Sequence, residues 1–185
     1  MSSVTTSIAT PETILTFWRE AGPDKSFTRD DAFDADIREK FLATYEAAAA
    51  GQLSAWEASA EGALALAIVL DQFPRNMFRG LARCYATDPL ARQVANRALK
   101  CGYDQDVPTQ ERRLFFLPFM HSEDIADQRR CVALYREAGD DDLKYAERHA
   151  DIIRRFGRFP HRNALLGRAT TPEEQAYLDA GGFNG

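Results

Sequence analysis

The chain uses one short phrase twice, Phe73-Pro74-Arg75-Asn76 and Phe159-Pro160-His161-Arg162-Asn163, and each copy sets a cation and an amide just behind a proline. Proline opens a helical turn readily, because its fixed φ is already helical and the N–H it lacks would have no intrahelical partner there. A guanidinium at such a place faces the positive end of the helix dipole. It therefore calls for an anion, either a carboxylate of the same chain or a bound ligand. Arg158 and Arg162 flank the second proline beside Phe159, and their planar forks suit bidentate capture of carboxylate or phosphate.

Asp71 stands at the end of the apolar run Ala67-Ile68-Val69-Leu70 and four residues before Arg75. A buried carboxylate without a partner costs several kcal/mol or takes up a proton, so an i,i+4 pair with Arg75 is expected. That pair either ties down the helix end or makes Asp71 a general base, or an anchor that aims Arg75 at a ligand. The three histidines, His121, His149 and His161, stand among polar residues, and His149 shares a helical face with Tyr145, Ile152 and Phe156. Together with Glu123 or Asp124 they offer metal donors, but their separations match no compact ligand motif. The alternative is that each imidazole satisfies a buried helix end by hydrogen bonding. The candidate ligand-binding set is Asp71, Arg75, Asn76, His121, Glu123, Asp124, His149, Arg158, His161, Arg162 and Asn163. No cofactor or resident metal is expected, and Walker, GxGxxG and GxSxG signatures are absent.

Helices must position these groups, since helix signals recur along the chain and no alternating β-branched run is long enough for a strand. Thr10-Pro11-Glu12 starts a helix predicted to reach Gly22; Phe33, Ile37, Phe41, Tyr45 and Ala48 mark an amphipathic helix from Asp31 to Gly51. Ser54 to Glu57 has capping-box spacing, which fits either a helix start or only a short turn before the next helix. The segment Gly62 to Phe73 is apolar nearly all round and reads as a central helix that Pro74 ends or kinks. Further helices are expected from Asp88-Pro89 to Gly102, around Leu114 to Leu117, from Ser122-Glu123-Asp124 to Gly139, from Leu143 to Phe156 ahead of Gly157, and after the capping sequence Thr171-Pro172-Glu173-Glu174. The expected class is all-α: antiparallel helical hairpins forming an irregular bundle or short solenoid over residues 11–180, behind a disordered tail of residues 1–10.

The bulk composition narrows the partners. With 45% hydrophobic and 28% charged residues the 185-residue chain is globular, and a formal charge of −5 gives no basic field for a nucleic-acid backbone. Cys84, Cys101 and Cys131 are too widely spaced for a CxxC motif and fit reduced, cytoplasmic thiols. Met1 to Thr10 is Ser/Thr-rich without the basic end and apolar block of a signal peptide, and no apolar run reaches membrane length.

The longer phrases carry a resemblance. Ala65 to Asn76 (ALAIVLDQFPRN), Leu117 to Asp124 (LPFMHSED), and Arg155 to Asn163 (RFGRFPHRN) with Leu166-Gly167-Arg168 are similar to the bacterial family catalogued as domain of unknown function 924, as are Phe17-Trp18 and Phe33-Asp34. The segment after Phe17-Trp18, aromatic-rich in the family, is here Arg19-Glu20-Ala21-Gly22. The resemblance implies a tetratricopeptide-like helical fold and brings no activity, substrate or cofactor with it. Three functions stay open: a polar cleft that binds a small anionic ligand, a peptide- or protein-interaction module, and a metal-assisted hydrolase.

Overall fold

The computed structural model describes residues 7–26 and 28–184, and every regular element among them is helical, so the protein is all-α. No helix among the described residues is long and apolar enough to cross a membrane. The chain divides into two compact units, Met1–Pro118 and Phe119–Gly185.

In the first unit, α1 (Pro11–Ser26) buries Ile14, Leu15 and Trp18. It does not stop at Gly22 but kinks there, because that glycine takes φ 69°, and it then continues to Ser26. Ala9 N–H donates to Thr44 Oγ1 at 2.9 Å, which ties the chain ahead of α1 to the next helix; residues 1–6 of the expected tail lie outside the described residues. The helix α2 (Asp31–Ala49) is capped by Asp30, whose carboxylate accepts from the Ala32 and Phe33 N–H groups, and it buries Phe33, Ile37, Phe41, Tyr45 and Ala48. These three-and-four spacings give one apolar stripe. The ring of Phe17 stacks on Phe33 at 5.4 Å, and that of Phe41 on Phe73 at 5.1 Å, which locks α1, α2 and the central helix together.

The central run begins after a 3₁₀ turn, Ser54–Ala58, with α3 (Ala60–Ala67), and it passes through a π turn, Ile68–Gln72, into α4 (Phe73–Met77). Pro74 neither ends nor breaks it. In the π turn Phe73 N–H reaches back five residues to the Ile68 carbonyl. The carbonyls that proline's missing N–H and the widened turn leave over find side-chain donors: Thr87 Oγ1 gives a 2.6 Å bond to Leu70 O, and Arg75 Nη1 a 2.5 Å bond to Asp71 O. The helix α3 packs against α1 and against α5 (Asp88–Lys100), while α4 packs against α2. Gly62 lets α3 fold back closely on the Ser54–Ala58 turn, since a Cβ there would lie 2.1 Å from the Trp56 carbonyl oxygen. The helix α6 (Arg113–Met120), with Pro118 inside it, follows two 3₁₀ turns.

In the second unit, α7 (Ile125–Ala138) and α8 (Leu143–Phe156) pack on each other, each closed by a left-handed glycine, Gly139 and Gly157. A 3₁₀ turn, Pro160–Arg162, and α9 (Pro172–Asp179) complete the unit. The predicted capping box of α9 is present, with Thr171 and Glu174 bonding reciprocally. Ile152, Ile153 and Phe159 form an apolar core, packed by Ile125, Phe156, Tyr177 and Phe183. None of the three cysteines is in a disulfide; Cys84 and Cys131 are buried and Cys101 is exposed.

Candidate functional site

Asp71, Arg75 and Asn76 belong to the first unit, and each of the two side chains that bear charge is held by its own chain segment. Asp71 lies in the π turn and is 1% exposed; its Oδ2 accepts a 2.5 Å bond from Gln72 Nε2. The Nη1 of Arg75 stands 3.4 Å from Asp71 Oδ1, so the expected pair forms. The closer carboxylate is Asp88, which takes both forks of Arg75 at 2.9 and 3.1 Å. Burial alone would disfavour the charge on Arg75, but Asp71 and Asp88 outweigh it and raise its pKa. Asn76 donates to Asp34 Oδ1 at 2.7 Å, and Asp34 also holds Arg79 bidentately at 2.7 and 3.1 Å. Sequence reasoning missed Asp88 and Asp34 as partners. The signal for Asp88 was its place in the first turn of a proline-opened helix, where a carboxylate complements the dipole while facing a neighbour's cation.

The remaining candidates belong to the second unit. Arg158 binds Glu174 bidentately at 2.6 and 2.8 Å and also donates to Ala169 O at 2.8 Å. Glu174, 2% exposed, further accepts from Asn163 Nδ2 at 3.1 Å and Thr171 N–H at 2.8 Å. The bonds from Arg158 above all, and those from Thr171, hold its pKa down to about 2 against the effect of burial. Glu123 accepts from Phe159 N–H at 2.8 Å and from both forks of Arg168 at 2.7 and 3.0 Å. Burial would raise its pKa, yet Arg168 and the Phe159 N–H bring it below the ordinary value. Arg168 also reaches Asn163 Oδ1 at 3.0 Å and Phe159 O at 3.2 Å. Asp124 is an exposed N-cap of α7. The Phe-Pro phrase is thus clamped on both sides by carboxylate and arginine pairs, with Glu174 and Arg168 as members that sequence reasoning had not assigned to the site.

The imidazoles of this unit gather around aromatic edges. His149 Nδ1 donates to Tyr145 O at 2.7 Å, which fixes the tautomer and leaves Nε2 as the acceptor. Its ring meets Phe159 at 5.5 Å and Phe183 at 4.6 Å, and the ring of His161 lies 5.1 Å from Phe183. The guanidinium of Arg162 covers the Phe159 ring at 4.5 Å. Burial first, and then neighbouring positive charge, pushes His149 down to about 4 and His161 to about 3, with His121 and Arg162 contributing to the first and Arg162 to the second. Both rings are neutral at ordinary pH, and Nδ1 of His161 is buried with no hydrogen-bond partner among the described residues. Among the described residues no group of three or more His, Cys, Asp or Glu side chains is placed to hold a metal ion. His149 and His161 face aromatic edges, and the carboxylates Glu123 and Glu174 are taken by guanidinium groups.

A different feature of the second unit is an open groove of about 400 Å³ between α8 and α9, lined by Arg148, Asp151, Ile152, Arg155, Phe156, Tyr177, Ala180, Gly181 and Gly182. Its apolar surface comes chiefly from the partly buried rings of Phe156 and Tyr177, over a floor that includes the buried Ile152. The guanidinium of Arg155 lies over Phe156 at 4.6 Å and over Tyr177 at 5.7 Å, and that of Arg148 over Phe183 at 5.3 Å. No candidate from the sequence lines this groove. The signal available was the sharp division of α8 into an apolar and a charged face, together with the Gly181-Gly182 pair after α9. A smaller cavity of about 280 Å³ in the first unit is bordered by the Glu57 and Arg97 ion pair and by Lys100, Cys101 and Tyr103.

Residues 14–182 match the family described as bacterial protein of unknown function, DUF924. The solved structure of a protein of unknown function from Agrobacterium tumefaciens is similar to this chain, with 51% identity, 92% of this chain and 97% of that chain covered, and a TM-score of 0.89. No curated protein matches the chain.

Proposed function

We propose that this chain, which belongs to the DUF924 family of bacterial proteins of unknown function, is a helical interaction module that holds a segment of a partner in the groove between α8 and α9. One contrast carries the proposal. The arginines of the Phe-Pro phrase and its return loop that would capture an anion, Arg158 and Arg168, are saturated by Glu174 and Glu123, whereas the groove couples open apolar surface to rim cations. Arg148 there has an aromatic ring as its contact and no carboxylate partner among the described residues. The openness of the groove favours a chain segment over a small metabolite, since small-ligand sites enclose most of their ligand's surface. The tetratricopeptide-like fold implied by the family resemblance supports the same class of function, because helical arrays present extended concave surfaces.

Amide NMR of the labelled chain titrated with 1-naphthoate, a small aromatic carboxylate, tests the location. The expected shifts fall on Ile152, Phe156, Tyr177 and Gly181. Shifts centred on Asn163 and Arg168, with the groove silent, reject the groove.

A second reading is supported by the neutral histidines of the cluster, which sit in a positive field that a small anion would relieve. In that reading His121, Glu123, His149, Arg158, His161, Arg162 and Asn163 form a ligand site. It predicts that phosphate or sulfate raises the melting temperature at constant ionic strength and that Arg162→Lys weakens this response. A melting temperature indifferent to the anion's identity rejects it.

A further inference from the structure

We infer that the partner segment is acidic, with a large apolar side chain seated in the groove between two carboxylates that Arg148 and Arg155 hold. This rests on the reading of the groove as a docking surface and adds the chemistry of what docks. Arg148 and Arg155 lie seven residues apart on α8, two helical turns, or about 10 Å along the axis. Both are exposed, and each is laid on aromatic faces, Arg148 on Phe183 and Arg155 on Phe156 and Tyr177. A guanidinium stacked by its face keeps its N–H edge for hydrogen bonding, and it loses less freedom when a carboxylate arrives because the ring already holds it. The protein itself shows what such an edge takes: Arg155 Nε donates to the exposed carboxylate of Glu173 at 3.0 Å, with both side chains more than half exposed. Exposed pairs of this kind contribute little, so a partner's carboxylate can replace Glu173. The apolar surface beside these cations is supplied by the partly buried rings of Phe156 and Tyr177, and Asp151, the acid that also lines the groove, is paired with Arg154. An acid of the partner about 10 Å from a second one, roughly three residues of extended chain or two helical turns, matches the spacing of the rim.

A random heptapeptide library displayed on phage tests this, selected on the full chain with Ala180→Trp as the subtraction. Ala180 is exposed and lines the groove, so tryptophan there fills the groove from its rim. The expected outcome is enrichment, over the subtraction, of sequences with at least two acids around one large apolar residue. The synthesised consensus peptide should then lose roughly tenfold in affinity by fluorescence anisotropy on the Arg148→Gln, Arg155→Gln double variant, and should weaken as salt rises. Enriched apolar sequences without acids, or a consensus that the double variant binds as well as wild type does, overturn the acidic partner while leaving the groove in place. No enrichment over the subtraction overturns both. Should Ala180→Trp melt early, the double variant, whose changes are exposed, replaces it as the subtraction.

Discussion

Thr87 shows how a single hydroxyl lets an unusual backbone exist. Pro74 has no N–H to give, and the carbonyl of Leu70 takes its hydrogen bond from Thr87 Oγ1 instead, at 2.6 Å inside the protein. Thr87→Val keeps the shape and removes the donor, leaving a buried carbonyl unsatisfied; urea denaturation should report a loss of about 1 to 3 kcal/mol. Asp71→Asn acts on the neighbouring residue of the same π turn by removing one of the two carboxylates that compensate Arg75. Because Asp88 remains bidentate, the expected loss is about 3 kcal/mol, the lower end for breaking a buried pair. A denaturation midpoint equal to wild type would place Asp71 at a wetter site than its burial implies.

At the scale of elements, α8, the Pro160–Arg162 turn and α9 are joined by groups that acid disrupts. Unfolded histidine titrates near 6.5, while His149 and His161 are held neutral down to about 4 and about 3. As pH falls through this interval the unfolded chain takes up protons that the folded chain refuses, so stability falls. The slope reaches at most about 1.4 kcal/mol per pH unit for each ring. Glu174 acts in the same direction at lower pH: its folded value of about 2 lies below the ordinary 4.5, so its contribution is complete above 4.5 and is lost between there and 2. Urea midpoints measured from pH 7 to pH 3 should fall steadily in wild type. His161→Leu should flatten the curve between pH 6.5 and 3, and Glu174→Gln should flatten it only below 4.5.

Over the whole molecule the acid-sensitive groups identified above lie in one of the two units. The histidines with strongly lowered values, Glu123 and Glu174 all belong to Phe119–Gly185. Amide hydrogen exchange at pH 4 should therefore show α8 and α9 losing protection ahead of α2, α3 and α5. Simultaneous loss throughout the chain would mean that the two units unfold as one cooperative body. The first unit's aromatic cluster, by contrast, responds to packing: Phe73 is fully buried and meets Phe17, Trp18 and Phe41 at 6.3, 6.0 and 5.1 Å.

What the sequence determined by itself is what depends on neighbours along the chain. Proline and glycine punctuation marked most helix ends, and the Thr171 to Glu174 capping box is local chemistry that survives in any tertiary setting. The i,i+4 approach of Asp71 and Arg75 follows from helical periodicity. Helix identity was likewise legible, since three-and-four spacing of apolar residues needs no partner to be seen. The tertiary structure alone decided which carboxylate saturates which guanidinium. Arg158 meets Glu174, sixteen residues on, and Glu123 meets Arg168, forty-five residues on. A charge interacts with whatever the fold brings near, and contacts at that separation leave no spacing to read. The same reason hid the groove, because its surface is made by two helices whose facing sides become one feature only when they pack. Pro74 is the intermediate case: the chain announces a helix end or a kink, and the helical run passes through a π turn and continues because Thr87 and Arg75 bond the carbonyls left over there.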